Sequence, residues 1–233
     1  MTALADHLKV DRFVVCGFSI GTSWSLQIAC MLPERVKGVI VFGTMADTGH
    51  ALMDKKTRKK VGQPPPILNP VSGMCGCILR SVFGAGVKNN SRAVLKFDQG
   101  WKEEATRPGC AARWKDFTED HFWVCCKVDS FQAFDRKEAI YGDAFRSLFN
   151  PWGYDITKIK CPVSIHQGQD DYDMGSSAPY APNFVKQCIP HADLEFIPGC
   201  GHVAVFGPQD LTRSQITKAI AKIEATEAAA PGE

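Results

Sequence analysis

The chain has 233 residues, of which 45% are hydrophobic and 22% charged, with a formal net charge of +2. That length holds one large domain or a domain carrying an insertion, and the balance is ordinary for a globular protein. A charge so near neutral argues against a nucleic-acid partner, and no apolar run approaches the roughly 18–20 residues of a membrane span.

Residues 2–9 (TALADHLK) read as the end of an amphipathic helix, with Leu4, Ala5 and Leu8 on one side. Phe13–Cys16 is a short, continuous apolar run, the signature of a strand buried on both faces of a parallel sheet. Residues 22–32 read as a helix that Pro33 ends, and Val36–Phe42 reads as a second buried strand. Strand, helix, strand in that order is a βαβ unit with a parallel pair.

The rhythm then breaks. A basic run (Lys55, Lys56, Arg58, Lys59, Lys60) reads as a solvated helix face, and Pro64-Pro65-Pro66 follows it. Residues 91–149 have helical character and are rich in aromatic residues, Trp101, Trp114, Phe122 and Phe134 among them. The βαβ rhythm resumes with a strand at Val163–His166, a helix at 177–188, a strand at 192–197 and an amphipathic helix at 209–226. The expected organisation is an α/β core over 1–45 and 150–233, with a helical cap or lid inserted over 46–149. Ten cysteines stand singly or as the pairs Cys75/Cys77 and Cys125/Cys126, with no CxxC and no zinc-finger spacing. They read as reduced thiols packed as small hydrophobes, which suits a cytoplasmic protein.

The chemistry centres on Gly17-Phe18-Ser19-Ile20-Gly21, which fits G-x-S-x-G. The pattern alone is a weak signal. Its setting, after a buried strand and at the start of a helix, is the strand–turn–helix of a nucleophile elbow. A residue held there at positive φ presents its hydroxyl above the sheet, and Gly17 and Gly21 are expected to let strand and helix approach closely. The helix start supplies backbone N–H groups where an oxyanion would develop. The plain alternative is a glycine-rich turn with an incidental serine.

A serine needs a base to take its proton, and the base needs an orienting acid. Gly168-Gln169-Asp170-Asp171 follows the strand at Val163, and Pro198-Gly199-Cys200-Gly201-His202 follows the strand ending near Ile197. Parallel strands would bring these loops to the carboxyl edge of the sheet, beside Ser19. His202 is the expected base. Asp47, after the second strand, is a rival acid, and His166 and His191 are rival bases that read better as structural or solvent-exposed groups.

With these pieces the chain resembles the α/β-hydrolase family: GFSIG, then PWGYDITKIKCPVSIHQGQDD, then IPGCGH. The resemblance covers residues 1–50 and 150–230, and residues 50–150 match only as a cap. It implies an acid at G-x-x-D counted from Gly168, which selects Asp171 over Asp170. Met174 fills the hydrophobic place three residues on, although Met174-Gly175 stands where the family has Val-Pro. It also implies a serine hydrolase of carboxylic esters or related acyl compounds, with Ser19, His202 and Asp171 as triad and the Ile20 N–H as oxyanion donor. The expected substrate is small and apolar, and no metal or organic cofactor is implied. The family's nucleophile follows the fifth of eight strands, whereas no strand is expected here before Phe13. The resemblance therefore implies an N-terminally truncated form of that sheet, without the loop that gives the second oxyanion donor. Such a span would leave the Phe13–Cys16 edge to be covered by its cap or a second chain. The rival expectation is a non-catalytic binding protein on the same fold, or an inactive short isoform.

Overall fold

A computed structural model of the chain describes residues 2–61, 151–172, 177–202 and 209–229. In chain order the elements are α1 (Thr2–His7), β1 (Phe13–Phe18), α2 (Gly21–Met31), β2 (Val36–Phe42) and α3 (Lys55–Val61). A short 3₁₀ turn (Ile156–Lys158) leads to β3 (Val163–Gly168), α4 (Tyr180–Cys188), β4 (Asp193–Ile197) and α5 (Gln209–Ala229). The four strands form one parallel sheet in the order β1-β2-β3-β4, each strand lying beside the one before it in sequence.

β2 shows why the sheet is buried on both faces. Its side chains alternate: Val39 and Val41 join the core beneath α2 and α4, while Ile40 and Phe42 join the core beneath α5. Leu26 of α2, Phe184 and Val185 of α4 and Ile165 of β3 complete the first core. Ala219 and Ile223 of α5 complete the second, with Ile197 and Cys200. Each fully buried large side chain, such as Leu26, Phe42 or Ile165, contributes about 1.5–3 kcal/mol.

β1 runs two residues past the expected Cys16, because Gly17 and Phe18 continue the ladder against Val41 and Phe42. Residues 46–61, assigned to the cap by sequence, pack in part on the α/β core, with Ala46, Met53 and Val61 in the cluster beneath α2 and α4. The basic run forms α3; Asp54 caps its start by accepting from the Lys56 and Thr57 amides at 2.8 and 2.9 Å, and its lysines are exposed. The expected aromatic helices of 91–149 lie outside the described residues, as does Met174.

Asp47, in the loop after β2, is buried and accepts the N–H of Gly49 at 3.0 Å and of Trp152 at 3.3 Å. It thus ties the chain leaving β2 to the chain that returns at residue 151. Burial raises its carboxyl above the ordinary value, against the two amides that favour the charged form. Tyr154 reinforces this junction by donating its hydroxyl to the Ser23 carbonyl of α2.

Candidate active site

β1 hands its last ladder bond to Ser19, whose amide donates to the Phe42 carbonyl at 2.9 Å. Ser19 then turns to φ 55°, and Ile20 opens α2 at φ −61°. The chain therefore passes from extended to helical in one residue, and that residue takes the left-handed region disfavoured for L side chains. The turn is tight because Gly17 has no side chain: a Cβ there would lie 2.3 Å from Ser25 Oγ and 2.5 Å from the Gly21 carbonyl. Gly21 itself corrects the sequence expectation. Beyond its chain neighbours and the backbone of its own helix, no described atom lies within 4 Å of where its Cβ would stand, so its carbonyl, rather than its missing side chain, is what abuts Gly17.

Three residues far apart in sequence meet above this turn. His202 Nε2 lies 2.8 Å from Ser19 Oγ, and His202 Nδ1 lies 2.8 Å from Asp171 Oδ2. A carboxylate only accepts, so Nδ1 carries the hydrogen, and Nε2 of the neutral ring accepts from the serine hydroxyl. Asp171 is fully buried and His202 is 7% exposed. Backbone bonds hold the two loops together: the Gln169 amide donates to the Ile197 carbonyl at 3.0 Å, and the Asp170 amide to the Cys200 carbonyl at 2.8 Å.

The imidazole also has a seat. Phe18 packs on it with centroids 5.1 Å apart. Gly43, at φ 58°, lies under it: a Cβ there would be 3.0 Å from His202 Cε1 and 3.1 Å from Nδ1. Neither residue is singled out by the sequence reading. Gly43 follows the buried run VKGVIVF, and a glycine just past a buried strand was the available signal.

The rival residues lie elsewhere. Asp47 joins the two chain ends described above. Asp170 is half-buried beside Asp171, and its amide serves the loop. His191 meets the Cys161 carbonyl at 3.1 Å, before β3 begins and so near the opposite edge of the sheet. His166 points into the α5 face of β3, with Nε2 at 3.1 Å from Ser164 Oγ, and its ring stacks on Phe42 at 4.9 Å. Among the described residues no helix is long and apolar enough to cross a membrane.

No family model and no curated protein matches the sequence. Solved structures do match in fold. The chain is similar to MGS-M2, an α/β hydrolase enzyme from a Medee basin deep-sea metagenome library, at 18% identity and a TM-score of 0.58. That match covers 100% of this chain and 70% of the other. A thermophilic esterase from Thermogutta terrifontis matches at 17% identity and a TM-score of 0.57, over 94% of this chain and 69% of that one. The 2-hydroxy-6-oxo-6-phenylhexa-2,4-dienoate hydrolase of Rhodococcus sp. strain RHA1 matches at 14% identity and a TM-score of 0.51, over 94% and 67%. The chain thus spans roughly seven-tenths of the length of these structures, and its parallel sheet with flanking helices has the α/β-hydrolase fold.

Proposed function

We propose that the chain is a serine hydrolase of carboxylic esters or related acyl compounds. The observation that carries this reading is the continuous relay Ser19–His202–Asp171, with both links at 2.8 Å, standing on a serine at positive φ. Structures of similar fold include an esterase and other hydrolases, which is consistent with this chemistry.

In this reading Ser19 Oγ attacks the acyl carbon while its proton passes to His202 Nε2. Asp171, buried against Nδ1, holds the ring and balances the imidazolium. The carbonyl oxygen becomes an oxyanion, and the Ile20 N–H at the start of α2 is the donor assigned to it. His202 then gives the proton to the departing alcohol. In the second half a water attacks the acyl-serine with His202 as base, and the acid leaves. No step calls for a metal or organic cofactor. The substrate assigned is a small apolar ester. The compartment assigned is the cytoplasm, where thiols such as Cys16, Cys30, Cys161 and Cys188 stay reduced.

The test is hydrolysis of p-nitrophenyl esters from acetate to octanoate by the intact protein and by Ser19→Ala. Turnover that disappears with Ser19 is expected. Ester binding without turnover at any acyl length would favour a non-catalytic binding protein on the same fold.

A further inference from the structure

The geometry points to Gln167 as the positioning residue that holds Asp171 and the seat of His202 in register. This rests on the serine-hydrolase reading above. Gln167 is the penultimate residue of β3 and is completely buried. Its side-chain carbonyl accepts the Thr44 amide at 2.7 Å, and its side-chain NH₂ donates to Asp171 Oδ2 at 2.6 Å. The partners fix the orientation of the amide, because a backbone N–H can only donate and a carboxylate only accept.

Two consequences follow from where those partners sit. Thr44 comes directly after Gly43, the residue lying under the imidazole. Asp171 is the group at the edge of that imidazole. One amide therefore spans two of the surfaces that locate His202. Moreover, Asp171 Oδ2 receives both the Gln167 NH₂ and His202 Nδ1–H, at 2.6 and 2.8 Å. The amide hydrogen bond fixes the oxygen that the imidazole uses. Gln167 touches no reacting atom; it acts through Asp171 and Gly43.

The pair Gln167→Glu and Gln167→Met separates this role from a packing role. Glu keeps the volume and the acceptor for Thr44 but turns an acceptor towards Asp171. Met keeps the approximate length and supplies neither bond. A packing role makes Glu the milder change; the positioning role makes it the worse one. Expected for Met is a fall in kcat of about ten- to hundredfold with KM within about twofold. Expected for Glu is about a further tenfold loss, because its carboxylate faces Asp171 Oδ2 where the amide donated. Melting curves report whether each variant folds, and Glu, retaining the Thr44 bond, serves if Met does not.

A second readout needs no turnover: the low-field NMR resonance of the His202 Nδ1 proton, identified by its loss in His202→Asn. It should be displaced in the Gln167 variants. If the unaltered protein shows no Ser19-dependent turnover, the serine-hydrolase reading fails, and this resonance still decides the part played by Gln167. An unmoved resonance overturns the inference, as does a Glu variant at least as active as Met.

Discussion

Ser19 at φ 55° makes a stability prediction that is independent of any substrate. An L-residue in the left-handed region costs roughly 1–2 kcal/mol, and glycine adopts it almost freely. Ser19→Ala and Ser19→Gly both delete Oγ, and with it the 2.8 Å contact to His202 Nε2. That loss, about 1 kcal/mol, cancels when the two variants are compared with each other. The backbone difference remains. Glycine gives back about 0.5–1 kcal/mol through the greater freedom of its unfolded chain. The Gly variant should therefore exceed the Ala variant by about 0.5–1 kcal/mol, or about 1–4 °C in Tm for a chain of this size. Urea unfolding followed by tryptophan fluorescence, with a thermal melt alongside, measures both. An Ala variant equal to or more stable than the Gly variant would refute a strained elbow at this position.

Other perturbations bear on the same architecture. Gly43→Ala places a methyl 3.0 Å from His202 Cε1 in a backbone conformation that alanine resists; it should lose about 1–3 kcal/mol of stability, and kcat should fall more than KM rises. Asp171→Ala should lower kcat by about 10⁴, since nothing would then balance the imidazolium, whereas Asp170→Ala should leave it unchanged; steady-state rates with one ester compare them directly. Burial holds the His166 imidazole below its ordinary value of 6.5, opposed by Glu195 and Asp193 and aided by Lys222. Below pH 6.5 the unfolded chain then binds more protons than the folded one at this residue, so its share of stability is complete above that pH and lost as pH falls. Unfolding free energies at pH 7 and pH 5 should accordingly drop more for the unaltered protein than for His166→Asn, and an equal or smaller drop contradicts the burial argument.

The strands and the relay were legible for one reason: each depends on chain order. A buried apolar run followed by a loop announces both a parallel strand and the place where its loop emerges, so the order of Ser19, Asp171 and His202 along the chain already points them to one sheet edge. The choice between Asp47 and Asp171 was not legible from order alone, since each follows a strand. Distance separates them, with Asp171 on His202 and Asp47 on the Trp152 amide. Gln167 escaped because a glutamine ending an apolar strand looks like the beginning of a loop. Its burial depends on two partners, Thr44 and Asp171, that only the folded sheet makes neighbours. Gly21 misled because a glycine in a motif suggests close contact at its own Cβ, while the contact here is made at Gly17. β1 runs past Cys16 because Gly17, a poor strand former, is held in register by the β2 ladder.

Under the proposed function Ser19 is a nucleophile activated by His202. The most direct measurement is reaction with a fluorophosphonate, followed by intact mass and peptide mapping. A single adduct on Ser19 is expected, absent in Ser19→Ala and formed far more slowly in His202→Ala. An adduct on another residue, or labelling that persists in Ser19→Ala, would contradict it.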